Sequence, residues 1–200
     1  GKTDNVFCAT RPPGHHAEHA VAMGFCFYNH VAIGARHAQT HEGIDKVAIL
    51  DFDVHHGNGT QEIFENDPSV MFVSSHQMPL YPGTGNAQET GTGNILNMPL
   101  APGDGSKEFR EAWSQRGLTA VHAFDPDLII LSAGFDAHIR DPLGHLEVDD
   151  DDYRWLTDEI VGLTQDCAEG RLVSVLEGGY DLQGLSTASS AHVERLMKAR

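Results

Sequence analysis

The sequence feature that most constrains the fold is the stretch KVAILDFDVHHGNGTQ, which spans residues 46–61. Its apolar residues, 47–50, follow one another without alternating with polar ones. Continuous apolar runs are typical of parallel strands that helices cover on both faces. The sequence therefore predicts an α/β fold, with a mostly parallel sheet between two layers of helices. In such folds, ligands bind beyond the carboxyl ends of the strands.

Polar residues follow this strand at the place where a ligand would bind. Asp53 and His55 are two residues apart, so in extended backbone they would point the same way, with Asp51 on the same side behind them. A carboxylate and an imidazole make half of a divalent-metal site. The alternative is a strand-to-helix corner with incidental histidines, which the density of these residues disfavours. Asn58, between two glycines, predicts a tight turn into a helix that begins near residue 60.

The rest of the chain alternates between strand and helix patterns. Apolar runs predict further strands at residues 5–10, 70–74, 94–100, 127–132 and 172–176. Helical spacing and end signals predict helices at residues 25–41, 60–65, 107–124, 149–168 and 182–198. Ser106 is the predicted cap of the helix at 107–124, while His30, His37 and His41 are expected on the polar side of the first helix. The loop at 79–92, rich in glycine, proline and threonine, is long enough to be functional.

Composition limits the class of protein. The chain has 200 residues, of which 40% are hydrophobic, so residues 1–200 are predicted to form a single domain with a full core. The formal net charge of -16, from 29 acidic and 13 basic side chains, disfavours nucleic-acid binding and favours cationic partners. Simple solubility is the plainer explanation of the same charge.

Cysteine usage and the absence of long apolar runs bear on the compartment. Cys8, Cys26 and Cys167 are an odd number without C-x-x-C spacing, which indicates a reducing compartment, and we expect a cytoplasmic protein. No apolar run approaches the roughly 20 residues of a membrane span, and the start GKTDN lacks the apolar part of a signal peptide. No membrane association is therefore expected. The first residue is glycine, which leaves processing or a fragment open.

Several predicted strands end in polar clusters. These clusters are His15 with His16; Asp51, Asp53, His55 and His56; Asp136 with His138; and Tyr180. A parallel sheet gathers such strand ends at one edge, so we expect a single site. Asp53, His55 and Asp136 would supply three metal ligands and leave a position open for water, which is the catalytic pattern and favours hydrolysis. His56 is expected to tether the ligand strand, and His138 is expected to lie at the surface.

Five motifs extend this interpretation to nearly the whole chain. They are RPPGHHAE, DFDVHHGNGT, LYPGTG, SAGFDAH followed by DPLG, and LEGGYD. Together they resemble the zinc-dependent histone deacetylase family. Asn58 stands where the class I branch usually has aspartate, so the resemblance is greater to the class II and bacterial deacetylase-like branch, which includes acetylpolyamine amidohydrolases. The resemblance implies a three-layer arginase/deacetylase-like α/β fold.

The resemblance also implies roles for individual residues. The metal ligands would be Asp53, His55 and Asp136. The tandem catalytic histidines would be His15 and His16, and Tyr180 would be the hydrogen-bond donor to the transition state. Asp51 would support His15, and Asn58 would support His16. The walls of an acyl-lysine channel would be Phe25, Tyr81, Gly24 and Gly179. The ion would be Zn²⁺, with Fe²⁺ as the alternative, and structural K⁺ would bind near Asp51, Ser74, Phe64 and Val70.

Two departures from relatives shape the functional hypothesis. Members of the family carry an amino-terminal part that this sequence lacks, so we expect exposed apolar surface and a homo-oligomer or another partner to cover it. Gly57 stands where arginase-type binuclear sites have a further aspartate, which favours one metal ion. The predicted function is removal of acetyl or other acyl groups from lysine side chains or polyamines by metal-activated water. Which histidine carries which proton stays open, and the alternative is a catalytically silent homologue that acts as a binding protein.

Overall fold

The computed structural model describes residue 3 and residues 5–198. Its centre is a six-stranded, entirely parallel sheet in the order β1-β6-β5-β2-β3-β4. The strands are β1 Asn5–Cys8, β2 Val47–Asp51, β3 Val70–Gln77, β4 Ile95–Leu100, β5 Leu128–Ala133 and β6 Leu172–Leu176. The helices are α1 His30–Ala38, α2 Asn58–Phe64, α3 Ser106–Ala112, α4 Leu118–Phe124, α5 Asp150–Cys167 and α6 Leu182–Leu196.

Strand β2 lies in the middle of the sheet. Four of its five residues are apolar, and the fifth, Asp51, is paired inside the protein. The strand pairs with β3 and β5, and every residue of β2 is buried. Asp51, its last residue, lies beside Ser74 of β3 and Ser132 of β5. The polar carboxyl edge of the sheet therefore begins at this row.

Helices cover both faces of the sheet. Ala48 and Leu50 face a core that includes residues of α3, α4, α5 and α6, whereas Val47 and Ile49 face a second core that includes residues of α1 and α2. Successive side chains of a strand point to opposite faces, so a continuous apolar run serves both layers at once. The prediction of a parallel, three-layer α/β fold is confirmed.

The first predicted helix is wrong in its extent. It was expected at residues 25–41, but α1 begins at His30, where the Asn29 side chain accepts a hydrogen bond from the Ala32 amide. Before it, Phe25 has a φ of 65°, which no helix accommodates, and a short bridge joins Met23 to Cys26. The apolar residues that suggested early helical turns thus belong to a loop.

The predicted helix at residues 107–124 is interrupted. A π-helical turn, Trp113–Gly117, separates α3 from α4. Trp113 is buried there and its indole donates to the Ser75 hydroxyl over 3.0 Å. Ser106 is not the cap either, because Gly105 holds that position and the Ser106 hydroxyl donates to Asp152 at 2.6 Å.

The remaining differences concern element ends. Helix α2 begins at Asn58 and not near residue 60, and β3 continues three residues beyond its predicted end to Gln77. Strand β1 ends at Cys8 and α6 ends at Leu196, each two residues earlier than predicted. These ends depend on backbone hydrogen bonds to neighbouring elements, which periodicity does not encode.

Candidate active site

Three side chains that could bind a metal ion converge beyond the ends of β2 and β5. One ligand atom from each of Asp53, His55 and Asp136 lies within 4.8 Å of the others, and all three residues are buried. The expectation of extended backbone between Asp53 and His55 is wrong, because the chain bends there after β2 ends at Asp51. The bend itself brings the pair together: the His55 amide donates to Asp53 Oδ1 over 2.9 Å.

Backbone amides hold the two carboxylates in place. Asp53 Oδ2 accepts from the Gly178 amide at 2.9 Å, and Asp136 Oδ1 accepts from the Val54 amide at 2.8 Å. A side chain at position 178 would clash with both carboxylates, so glycine allows the segment after β6 to approach them. The three strand ends are therefore locked around one point.

The charges at this point fit a bound cation. His55 Nδ1 lies 3.1 Å from Asp53 Oδ1 and 3.1 Å from Asp136 Oδ2. Burial, and then the neighbouring Asp53 carboxylate, raise the pKa of Asp136 to about 7. Burial opposes protonation of His55, but hydrogen bonds with Asp136 and Asp53 outweigh it and raise its pKa to about 10. One imidazole and two carboxylates are the donor set of Zn²⁺ or Fe²⁺, and their closeness calls for positive charge between them.

The tandem histidines lie beside this group and differ in charge. His15 Nδ1 is 2.8 Å from Asp51 Oδ2, and His16 Nδ1 is 2.8 Å from Asn58 Oδ1. Burial disfavours the charged form of His15, but the Asp51 and Asp53 carboxylates outweigh it and hold its pKa well above the usual range. Burial and then the charge on His15 lower the pKa of His16 to about 3. The two rings lie close together, with centroids 4.1 Å apart and planes inclined at 44°.

Glu177 is a site residue that the sequence reasoning missed. Its fully buried carboxylate accepts from the Gly14 amide at 2.6 Å, the His15 amide at 3.1 Å and the Ser132 hydroxyl at 3.0 Å. It therefore fastens the histidine segment to the ends of β5 and β6. The sequence signal that could have identified Glu177 is its place directly after strand β6, because the other polar clusters also lie directly after strands.

Asp141 is a second missed residue, and it positions Tyr180. Its Oδ2 accepts from the Tyr180 amide at 2.7 Å and from the Asp181 amide at 3.3 Å, while its Oδ1 accepts from the Leu143 amide at 3.0 Å. One carboxylate thus joins the DPLG segment to the GGYD segment. Its sequence separation of 39 residues from Tyr180 hid this contact.

A cleft of about 470 Å³ opens onto His55, one of the three candidate ligands. Its lining consists of His16, Gly24, Phe25, His55, Leu80, Tyr81, Leu143 and Tyr180. Gly179, predicted as a wall, is absent from that lining and turns the chain with a φ of 142° to present Tyr180. Burial, followed by the charges of Asp53 and Asp136, raises the pKa of Tyr180, so its hydroxyl remains a donor near neutral pH.

The two further histidines of the motifs have supporting positions. His56 bonds to the Thr84 hydroxyl at 2.8 Å and to Gln61 Oε1 at 2.9 Å, so it anchors the loop that carries Tyr81. The surface position expected for His138 is wrong, because its exposed fraction is 6%. Its ring stacks on Tyr153 with centroids 6.5 Å apart.

The implied K⁺ site near Phe64 and Val70 does not fit the residues present. The Asn94 amide nitrogen lies 2.8 Å from the Phe64 carbonyl, 3.0 Å from that of Asp67 and 2.7 Å from that of Val70. The buried amide already fills the point where these carbonyls converge. Asp51 and Ser74, the other implied pair, lie side by side on β2 and β3, and K⁺ there stays a prediction.

The parallel sheet and its layers of helices define an arginase/deacetylase-like α/β domain, and comparisons with known proteins specify the family. The family model described as histone deacetylase domain matches residues 1–196. The chain belongs to the histone deacetylase family. It is 44% identical over 186 residues to histone deacetylase 14, chloroplastic, of Arabidopsis thaliana, covering 91% of this chain and 44% of the relative.

Two further comparisons support the family and the fold. The chain is 43% identical over 185 residues to a probable deacetylase of Archaeoglobus fulgidus, covering 90% of this chain and 51% of that protein. The crystal structure of the HDA15 HD domain superposes with a TM-score of 0.94 at 42% identity, covering 99% of this chain and 56% of that one. The chain thus spans about half the length of these relatives.

The structure also bears on membrane association. None of the helices in the described part of the chain combines the length and the apolar character needed to cross a membrane.

Proposed function

We propose that this chain is a metal-dependent amidohydrolase that removes acetyl or other acyl groups from lysine side chains or polyamines. The observation that carries the proposal is the group Asp53, His55 and Asp136, whose His55 lines one cleft together with His16 and Tyr180. Membership of the histone deacetylase family supports deacetylation in general. The lysine or polyamine substrate, the metal and the competence of this chain are our inference.

Asp53, His55 and Asp136 would hold the metal, for which we propose Zn²⁺, with Fe²⁺ as the alternative. When bound, such an ion lowers the pKa of a water and polarises the amide carbonyl. The protein contributes geometry, since backbone amides orient both carboxylates. The buried setting strengthens every charge interaction at this point.

Proton transfer falls to the tandem histidines. His16 lines the cleft, whereas His15 lies behind it with Nε2 3.7 Å from Asp53 Oδ1. We therefore assign to His16 the transfer of a proton from the attacking water to the leaving amine. His15, held by Asp51, keeps a positive charge beside the ligands and favours the neutral state of His16.

Tyr180 would stabilise the oxyanion. Its half-buried side chain lines the cleft opposite Phe25, with ring centroids 6.2 Å apart, and its hydroxyl retains its proton. A donor aimed at charge that develops only in the transition state accelerates the chemical step without tightening substrate binding. Asp141 fixes the backbone from which this side chain projects.

The cleft suits a linear alkyl amine. Phe25, Leu80, Tyr81 and Leu143 supply apolar walls for a methylene chain, and the net charge of -16 favours a cationic remainder of the substrate. Both an acylated lysine peptide and an acetylpolyamine meet these requirements. Cytoplasmic localisation and homo-oligomerisation remain predictions, as does the lack of nucleic-acid and membrane partners.

The test is hydrolysis of a fluorogenic acetyl-lysine peptide and of an N-acetylated polyamine, each with metal-stripped protein and after addition of Zn²⁺ or Fe²⁺. We expect turnover that requires the metal and that the Asp136→Ala variant lacks. Folded, metal-loaded protein that hydrolyses neither substrate would contradict the proposal.

One observation favours the second candidate, a silent homologue that binds a protein partner. Phe27 is 68% exposed, Tyr28 70% and Ile33 57%, and these large apolar side chains lie around a single cleft on α1 and the loop before it. Exposed apolar patches of this kind mark interaction surfaces. Absence of turnover together with a defined complex that Phe27→Ser and Ile33→Ser disrupt would favour this candidate.

A further inference from the structure

A second pair of histidines lies near the end of helix α1. His37 is in its last turn, and His41 follows three residues after its end. Their Nε2 atoms are 3.5 Å apart, and the rings are nearly perpendicular at 87°, with centroids separated by 5.1 Å. Both residues are exposed. Each ring therefore presents a potential donor nitrogen to the other across a short gap that solvent can enter.

We propose that His37 and His41 form a second divalent-metal site, for an ion of the Zn²⁺, Ni²⁺ or Cu²⁺ type. Imidazole nitrogens bind Zn²⁺ at about 2.0–2.1 Å, so two of them at a tetrahedral angle stand about 3.4 Å apart. The observed separation of 3.5 Å matches this spacing with the backbone in place. In known zinc motifs, two histidines four residues apart on a helix bind the ion, and this pair has the same sequence spacing although His41 lies three residues beyond the end of α1.

The backbone that carries the pair is held firmly. The Thr40 hydroxyl donates to the His37 carbonyl at 2.7 Å, and the His41 amide donates to the Ala38 carbonyl at 2.9 Å. The Gln39 side chain donates to the Asp45 carbonyl at 3.0 Å and to the Ser69 hydroxyl at 2.9 Å. Only side-chain rotations remain to be fixed when an ion binds, so little entropy is lost.

The pair is separate from the candidate active site. Helix α1 begins near the strand-end cluster, as a hydrogen bond between the His30 ring and the Pro12 carbonyl beside the tandem histidines shows. After α1 ends, the chain runs to the first residue of β2. His37 and His41 therefore lie towards the opposite, amino-terminal edge of the sheet. Both line an apolar groove of about 420 Å³ formed with β5 and β6.

The donor set predicts which ions bind. Two neutral imidazoles suit Zn²⁺, Ni²⁺ and Cu²⁺, whereas Mg²⁺ and Ca²⁺ prefer oxygen ligands. Water would complete the coordination, so the ion should exchange readily. The active site differs because it has two buried carboxylates and an enclosed position.

The test is a calorimetric titration of tag-free protein, already loaded with Zn²⁺ at the active site, with Ni²⁺ and in parallel with Cu²⁺. We expect one additional exchangeable equivalent per chain, and a Cu²⁺ spectrum in electron paramagnetic resonance with two nitrogen ligands. His37→Gln and His41→Gln should each remove the additional equivalent, because one imidazole alone leaves no chelate.

Two controls make the outcome decisive. His122→Gln removes another exposed helical histidine and should titrate like the parent. Asp136→Ala should retain the additional equivalent, which separates this site from the proposed catalytic one. Parental affinity in both His37→Gln and His41→Gln, or loss of the additional equivalent in Asp136→Ala, would overturn the proposal. Equal loss in His122→Gln would show binding unrelated to the pair and would overturn it as well.

Discussion

Two regions of this molecule gather several acceptor groups around one nitrogen, and they do so with opposite electrostatics. At the candidate active site, His55 Nδ1 lies between the Asp53 and Asp136 carboxylates at 3.1 Å from each. Beside the end of α2, the Asn94 amide nitrogen lies within 3.0 Å of three neutral carbonyls. The first group carries excess negative charge, whereas the second is neutral.

Only the first of these two regions requires an ion. The Asn94 amide supplies two hydrogens to the carbonyls, and its Oδ1 accepts from the Thr92 amide and hydroxyl at 3.1 and 3.0 Å, so the amide is fixed in its orientation. This cluster satisfies its own polar groups. At the active site, satisfaction of two adjacent carboxylates requires positive charge, and the cleft gives an ion and a substrate access.

The largest expected effect tests the charged cluster. Asp136→Ala removes a metal ligand, and we expect the variant to lose its bound ion and all measurable deacetylation. Elemental analysis after gel filtration should find one tightly held ion per parent chain and none in the variant. Retention of the ion by Asp136→Ala, or two tightly held ions in the parent, would refute a single three-ligand site.

The next largest effect concerns Tyr180, the proposed hydrogen-bond donor at the candidate active site. Tyr180→Phe should fold, bind metal and keep near-normal KM, while kcat falls by about 10²- to 10³-fold, because one oxyanion donor is lost. Steady-state kinetics measure this split. Tyr81→Phe is the matched control on the opposite wall and should stay within a few fold of the parent. A kcat for Tyr180→Phe close to that of the parent would remove Tyr180 from the mechanism.

A third prediction addresses the neutral cluster. Asn94→Ala removes one donor from the carbonyls of Phe64, Asp67 and Val70, two of which also accept from backbone amides, so we expect the unfolding free energy to fall by about 1–3 kcal/mol. The loss should be smaller in KCl than in choline chloride, because the emptied cage can then accept K⁺. Denaturant titration in both salts measures it, with the exposed Asn66→Ala as control. Equal stabilities of the two variants, or no effect of K⁺, would contradict the assigned role of Asn94.

The smallest effect concerns the charge of the whole molecule. Because the net charge is -16, kcat/KM for a lysine-rich acetylated peptide should fall as ionic strength rises, by up to about tenfold. A peptide of the same length without further lysines serves as control and should respond less. Identical salt dependence of both peptides would show that this charge does not steer the substrate.

Local patterns were sufficient for much of the fold. The apolar run of β2 predicted a central parallel strand because all of its side chains enter one of two cores. The ends of helices were harder, as the early part of the first predicted helix illustrates. Phe25 fits an apolar helical pattern, yet its φ is 65°, and the preceding Gly24 packs against the His16 ring, a contact that no local spacing reveals.

For the candidate site too, some features could be predicted from local sequence patterns and others could not. The sequence by itself determined the strand-end clusters and the residues that resemble the deacetylase motifs, because parallel strands bring their carboxyl ends together whatever the loops between them do. Only the tertiary structure decided that Glu177 holds the histidine segment, that Asp141 holds Tyr180 and that Asn94 fills a carbonyl cage. The physical reason is that such hydrogen bonds join residues 24 to 162 positions apart, where partners are chosen by distance and burial in the folded chain and leave no periodic trace in the sequence.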